Sequence, residues 1–136
     1  YAQYFNQQHR RSGTIWEGRY RSSLIDPDYF LRCQRYIELN PVRAGFESSP
    51  QDSSWTSFAT HIGEKAEFWL VDHQHFWKLG NTPFERQMKW AEFVKEGAPH
   101  WEDRQITESL LRSKPWVSDI YAKKVFKDRA TNSKTK

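Results

Sequence analysis

The sequence predicts an α+β fold with one clear β-strand, at about residues 14–25, and a mostly helical remainder. The strand is indicated by side chains that alternate between apolar and polar, and the helices by apolar residues at helical spacing that follow capping signals. A chain of 136 residues fits one domain and is long enough to bury a core.

The chain opens with a helical pattern. Tyr1, Tyr4 and Phe5 follow helical spacing from the first residue, with no initiator methionine or capping residue before them. Gly13 then predicts a break before the strand. We therefore expect this sequence to be the downstream part of a longer protein.

The predicted strand has one apolar and one basic face. Trp16, Tyr20 and Leu24 fall on one side, whereas Arg19 and Arg21 fall on the other. This alternation is typical of a half-buried strand. Because a single strand cannot satisfy its own backbone, its partners must come from elsewhere in this chain or from sequence outside it.

The best-marked helix begins directly after the strand. Asp26 is a good N-cap and Pro27 a good first residue, and the helix should end near Asn40 because Pro41 follows. Tyr36 precedes Asn40 by four residues, so the phenol and the carboxamide should be neighbours on one face.

Weaker helical patterns fill the rest of the chain. Residues 46–61 are expected to form a loop anchored by Trp55 and Phe58. Thr82 and Glu85 form a capping box. Helices are predicted at residues 64–71, 83–95, 103–112 and 118–129.

Charge is distributed unevenly along the chain. Residues 1–45 hold seven basic residues, all arginine, against four acidic ones; residues 46–120 hold eight against twelve, and residues 121–136 hold six against one. Arginine interleaved with aromatic residues suits single-stranded nucleic acid, because bases stack on rings and phosphates pair with guanidinium groups. An amphipathic surface over a well-filled aromatic core explains the same composition equally well.

Some classes of protein are excluded. No apolar run approaches the ~20 residues that a membrane helix needs, and no segment resembles a signal peptide. Cys33, the one cysteine, rules out an internal disulfide framework and fits a reducing cytosol. Its position in a helical pattern favours a packing role over that of a nucleophile.

Four segments of the sequence, at residues 4–6, 13–22, 35–45 and 55–58, carry a family resemblance. In order and spacing they resemble the REP-associated tyrosine transposases, bacterial relatives of the single-strand transposases of the HUH superfamily. The resemblance is dense over residues 1–63 and loose beyond. It implies that residues 1–63 are the C-terminal part of the catalytic domain and that residues 64–136 are a helical C-terminal extension.

The resemblance also implies a fold and an activity. The fold would be a remnant of a ferredoxin-like antiparallel sheet backed by helices. The activity would be DNA transposition, in which single-stranded DNA is cleaved and joined at short hairpins. The implied location is the bacterial cytoplasm, in association with the nucleoid, and the family pattern allows a homodimer.

By match to the family motif, Tyr36 would be the nucleophile and Asn40 a ligand of a divalent metal, Mg²⁺ or Mn²⁺. As a phenolate, Tyr36 would attack a phosphorus and form a covalent phosphotyrosine, so no nucleotide cofactor is needed. A free phenol ionises only near pH 10, so the metal and nearby arginines would have to help. Asn40 could instead simply be the last residue of its helix.

The family binds its metal with a His-hydrophobic-His pair that falls upstream of residue 1. The enzymatic activity of this chain alone is therefore in question. His73 and His75 have the right spacing, but a glutamine separates them, and they are not expected to form the metal site. His61 is expected to be solvated.

Basic residues in two parts of the chain are the expected DNA contacts. The arginines would pair with phosphates near the tyrosine, and the lysines would hold a flanking duplex by charge. These residues are Arg19, Arg21, Arg35, Arg43, Lys123, Lys124 and Lys127.

Two alternatives to an active transposase remain open. The first is a non-catalytic remnant that binds DNA hairpins but has lost the chemistry. The second, which is weaker, is a protein-docking helical module suggested by the tryptophan-rich C-terminal half.

Overall fold

The computed structural model describes residues 2–13 and 20–132, with the backbone alone at residue 2 and from residue 126 onward. Short 3-10 helices lie at Pro27–Tyr29 and Pro50–Asp52. The α-helices are α1 (Ala2–Gln8), α2 (Phe30–Arg43), α3 (Phe58–His61), α4 (Gln74–Trp77), α5 (Pro83–Lys95), α6 (His100–Leu111) and α7 (Asp119–Asn132).

The predicted α+β class is wrong, because the described part of the chain is helical and contains no sheet. Part of the predicted strand, residues 14–19, lies outside the described residues. In the remainder, Tyr20 is 93% exposed, so the alternation does not reflect one buried face. Within residues 20–132 the strand-type pairing is a single parallel bridge, Ile25 to Trp116. The antiparallel ferredoxin-like sheet is therefore not found there.

The core is formed by aromatic and aliphatic side chains from α3, α4 and α5. Phe58, Phe76, Trp90 and Val94 form the buried cluster, and half-buried residues from α2, such as Leu39, pack against it. Phe58 is thus an anchor, as expected. The core includes residues from both sides of residue 63. The division into a catalytic part at residues 1–63 and an extension at residues 64–136 stays a prediction.

Asp26 caps the start of α2, as predicted, although the first turn is a 3-10 turn. Its carboxylate accepts a hydrogen bond from the Asp28 N–H at 3.1 Å. It also accepts from the Ser118 hydroxyl at 2.6 Å and from the Ser118 N–H at 3.2 Å. These donors, chiefly the Ser118 hydroxyl, lower the pKa of Asp26. One buried carboxylate therefore joins the start of α2 to the start of α7.

Helix α2 continues past its predicted end at Asn40. Pro41 lies inside the helix, and the last helical residue is Arg43. Gly45, with φ of +73°, then allows the chain to turn back. The Gly45 N–H donates to the Val42 carbonyl at 3.0 Å, and the Phe46 N–H donates to the Pro41 carbonyl at 2.9 Å. These two bonds define a Schellman motif, which therefore ends the helix after the proline.

The predictions for the C-terminal half are partly confirmed. Thr82 caps α5 by accepting from the Glu85 N–H at 3.2 Å, and Glu85 accepts from the Asn81 N–H at 2.9 Å. The helix predicted at 64–71 is absent from the structure, which has bends, a turn and irregular backbone there. Helix α6 begins at His100, before the predicted start at residue 103.

Candidate functional site

The centre of α2 is fixed by a fully buried carboxylate. Glu38 Oε2 accepts from Trp90 Nε1–H at 2.8 Å, and Glu38 Oε1 accepts from the Ser57 hydroxyl at 2.9 Å. His61 Nδ1 lies 2.6 Å from the same Oε1. The other ring nitrogen of His61 is 3.3 Å from Asp72 Oδ1. His61, expected to be solvated, is thus buried, and the network locks the rotation of α2 about its axis.

Tyr36 lies on the face of α2 that meets α6. Its hydroxyl is 3.1 Å from Thr107 Oγ1, and the side chain is half-buried. The guanidinium of Arg43 lies over the tyrosine ring, 4.5 Å from its centre. The phenol oxygen is therefore in a polar contact at the edge of the protein, and not enclosed in apolar packing.

The cation above the tyrosine ring is itself paired. Arg43 Nη2 is 3.2 Å from Asp103 Oδ2, and the Arg43 side chain is about one-third exposed. Among the described residues, no hydrogen-bond partner reaches the buried Asp103 Oδ1. Asp103 therefore offsets part of the Arg43 charge and holds it near Tyr36.

Asn40 shares a face of α2 with Tyr36, and its side chain is exposed. It lines a cavity of about 440 Å³ at the end of the helix. The other lining residues are Pro41, Ala44, Phe46, Glu47 and Trp55. The prediction that Tyr36 and Asn40 lie on one helix therefore agrees with the structure, and Asn40 lines a cavity at the C-terminal end of that helix.

The described residues do not supply a metal site around Asn40. No group of three or more His, Cys, Asp or Glu side chains within residues 2–13 and 20–132 could hold a metal ion. His73 and His75 stack on each other with ring centres 5.1 Å apart, and His73 also stacks on Phe30 at 3.9 Å. We therefore assign no Mg²⁺- or Mn²⁺-dependent step to the residues described.

Arg35, one of the expected phosphate contacts, is a buried residue. It is 4% exposed, and its Nη2 is 2.6 Å from Glu102 Oε1. Its guanidinium also lies 3.9 Å from the centre of the Phe93 ring. The charge of Arg35 is thus neutralised inside the protein, where no phosphate can reach it. Glu102 lies 67 residues away, so local spacing gave no signal of this pair.

The remaining expected DNA contacts are spread over the molecule. Arg21 is exposed and donates to the Leu111 carbonyl. Lys123 and Lys124 are exposed on α7, and Lys127 is described as part of the α7 backbone only. Arg19 lies outside the described residues. Of the predicted cations whose side chains the structure describes, Arg43 is the one that lies against Tyr36.

Several residues of the site could not be recognised in the sequence. Asp103 and Thr107 come from α6, and nothing local links them to Tyr36. Trp55, expected to be an anchor, is 88% exposed and forms a wall of the cavity instead. The position of Phe46 could have been predicted, because an apolar residue that follows the glycine at the end of a helix commonly packs back on the last turn.

The chain matches no protein-family model, and no curated protein or solved structure matches it either. The resemblance to REP-associated tyrosine transposases therefore depends on the motif residues themselves. Among the helices of residues 2–13 and 20–132, none has the length and apolar content that crossing a bilayer would require.

Proposed function

We propose that this chain carries the nucleophile of a REP-associated tyrosine transposase, an enzyme that cleaves and joins single-stranded DNA at hairpins through a covalent phosphotyrosine. The observation that supports this function best is the position of Tyr36. Its hydroxyl is half-buried in a polar contact with Thr107, and the Arg43 guanidinium lies over its ring. The asparagine of the family motif is exposed four residues further along the same helix.

The reaction assigned to Tyr36 is a transesterification. The phenol oxygen bonds to phosphorus while the bond from phosphorus to the leaving DNA oxygen breaks. The phenolic proton passes to a nearby acceptor or to water, and the leaving oxygen takes up a proton. Because the new phosphotyrosine keeps the energy of the phosphodiester, the reverse attack by a DNA hydroxyl joins two strands without a nucleotide.

Arg43 is suited to bind the phosphate in this reaction. A guanidinium presents paired donors that match phosphate oxygens, and its charge offsets the negative charge of the transition state. Asp103 competes for the same donors at 3.2 Å. A bound phosphate would therefore replace one ion pair of Arg43 with another.

A divalent metal belongs to the family mechanism, where it orients the phosphate and neutralises its charge. The described residues supply one candidate ligand, Asn40, and no set that completes a site. The proposal therefore requires the His-hydrophobic-His segment of the family to act together with this chain.

A covalent-adduct assay tests the proposal. The chain would be joined to the His-hydrophobic-His segment of a REP-associated tyrosine transposase and incubated with a single-stranded DNA hairpin and Mn²⁺. We expect a protein–DNA adduct that survives denaturation and maps to residue 36 by mass spectrometry. Tyr36→Phe should abolish it, whereas Tyr29→Phe, a matched change near the start of the same helix, should not. An adduct that persists in Tyr36→Phe contradicts the assignment.

The second candidate function is hairpin binding without chemistry. The incomplete metal ligand set of the described residues favours it. This function predicts binding that weakens steeply with salt and leaves no covalent product in the same assay.

A further inference from the structure

We propose that the cavity between Phe46 and Trp55 binds one unpaired nucleobase of the DNA strand. This inference rests on the proposed function, because it assigns a substrate contact beside Tyr36. The cavity has a volume of about 440 Å³, within the range of small-ligand pockets. Its lining combines two aromatic side chains with a carboxamide and a carboxylate.

The first wall of the cavity is built by the end of α2. The Phe46 N–H is bonded to the Pro41 carbonyl at 2.9 Å, and Gly45 has the left-handed backbone that this bond requires. The Schellman motif thereby returns Phe46 to the helix turn that carries Asn40. These bonds fix the backbone of Phe46 beside the end of α2.

The second wall is held by the segment before α3. Ser53 is buried, and its hydroxyl accepts from the Trp55 N–H at 3.3 Å. Two residues after Trp55, the Ser57 hydroxyl donates to Glu38 in the core. The backbone that carries the indole is therefore held by a local turn at Ser53 and by the bond from Ser57 to Glu38 of α2.

Both rings of the cavity are open to solvent. Phe46 is 83% exposed and Trp55 is 88% exposed, although both line the same space. Large aromatic groups that remain exposed together commonly mark a binding site. Aromatic side chains that hold single-stranded nucleic acid act in this way, because each base has a flat face that stacks on a ring.

The polar groups of the cavity favour a base over a phosphate. Asn40 offers both a donor and an acceptor, and a side-chain carboxamide can pair with the edge of adenine. Glu47 accepts from exocyclic amino groups but repels a phosphate. A neutral base with an amino group therefore complements the cavity, whereas the DNA backbone does not.

The position of the cavity links it to the proposed chemistry. Asn40 is four residues from Tyr36 on α2, and Arg43, which covers the Tyr36 ring, follows Asn40 by three residues. These spacings place all three side chains within two turns of one helix. A base held at Phe46 and Trp55 would therefore belong to a nucleotide near the phosphate that Tyr36 attacks.

Binding to an intact and an abasic strand tests this inference. The probes are a DNA hairpin with a short single-stranded adenine tail and the same hairpin with abasic sugars in the tail. Their dissociation constants for the unmodified full chain would be compared by fluorescence anisotropy. We expect the abasic probe to bind about 5- to 150-fold more weakly, which is the range that stacking of one base contributes.

Substitutions in the cavity should remove that difference. Phe46→Ala and Trp55→Ala should weaken binding of the intact probe and leave binding of the abasic probe nearly unchanged. Phe68→Ala and Trp69→Ala remove exposed aromatic side chains outside the cavity and serve as matched controls. Circular dichroism of every variant checks that the helices remain folded.

Asn40→Asp separates base contact from metal binding. Aspartate keeps an oxygen ligand but loses the amide donors, so the preference for the intact probe should fall by about tenfold, the value of one lost hydrogen-bonded contact to a base edge. Equal affinity of the native chain for both probes overturns the inference. The exposed rings of Phe46 and Trp55 would then be a contact surface for a protein partner. The adduct assay at Tyr36 is a separate readout, so either proposal can fail alone.

Discussion

The guanidinium of Arg43 is held between two groups: the Tyr36 ring, whose centre is 4.5 Å away, and Asp103 Oδ2, which is 3.2 Å from Arg43 Nη2. The same arginine thus covers the candidate nucleophile and is partly neutralised by α6. A ligand with negative charge must compete with Asp103 for it. The strength of that competition can be measured.

Asp103→Asn should strengthen DNA binding at this site. The change removes the charge that pairs with Arg43, so we expect the dissociation constant for a single-stranded hairpin to fall about 3- to 10-fold. The slope of log affinity against log salt should stay nearly the same, because Arg43 contacts the phosphate in both chains. Fluorescence anisotropy at several salt concentrations provides both numbers.

The matched control for this prediction is Glu108→Gln. Glu108 lies on the same helix and pairs with Arg112 at 2.9 Å, so the net charge changes equally. An equal gain in affinity in both variants would mean that overall charge, and not Arg43, produces the effect.

Removing the carboxylate of Glu38 should strongly destabilise the fold. Glu38→Ala leaves the Trp90 indole N–H, the Ser57 hydroxyl and His61 without their acceptor in the core. We expect the free energy of unfolding to drop by about 3–5 kcal/mol, as for other broken buried networks. Urea denaturation monitored by tryptophan fluorescence measures it. Glu108→Ala, an exposed change, should cost no more than about 0.5 kcal/mol, and a similar cost for both variants would refute the network.

The Asp26–Ser118 hydrogen bond should make stability depend on acid pH. Because the pKa of Asp26 is lower in the folded chain than its ordinary value of 3.8, the unfolded chain binds more protons near and below that value. The stabilisation is therefore complete above this pH and is lost as the pH falls through the folded-state pKa. Ser118→Ala removes the main cause of the shift.

Thermal unfolding across acid and neutral pH would reveal this linkage. The stability difference between the native chain and Ser118→Ala should be largest near neutral pH and shrink in acid. Ser54→Ala, at an exposed serine, should show a difference that does not change with pH. A Ser118→Ala difference that stays constant down to strongly acid pH would be inconsistent with the shift.

Cys33 should react slowly with thiol reagents. Burial raises the pKa of its thiol to about 11, and the nearby Glu102 carboxylate adds to the increase. Relative to a thiol at the ordinary value of 9.0, the thiolate fraction at pH 8 falls about 100-fold. Because a thiolate of higher pKa is also intrinsically more reactive, the reaction rate with a disulfide reagent should be at least about 10-fold lower than for the unfolded chain. The rate should still be rising at pH 10. A rate that levels off below pH 9 would contradict the assignment.

Short-range sequence signals predicted the helix starts correctly. The Asp26 cap, the Thr82 capping box and the helix that carries Tyr36 all follow from short-range rules about backbone donors and proline. The same rules gave the wrong end for α2. Proline has no backbone N–H to donate within the helix, but the residues that follow it can still be helical, and here Gly45 follows the end of the helix.

Long-range contacts could not be read from the sequence. Alternation at residues 14–25 predicted a strand, yet the described part of that segment, residues 20–25, makes one bridge, from Ile25 to Trp116. Arg35 was predicted to contact phosphate at the surface, but in the structure its Nη2 lies 2.6 Å from Oε1 of Glu102 on α6. Such pairs depend on which helix packs against α2, and periodicity carries no information about that choice.

The irregular segment at residues 64–71 connects two parts of the chain that are also joined by side-chain contacts. Glu38 to Trp90, Arg35 to Glu102 and Tyr36 to Thr107 all join pieces that lie on opposite sides of this loop. A protease that nicks the loop would therefore leave two fragments bound to each other, and the tyrosine would keep its surroundings until denaturant separates them.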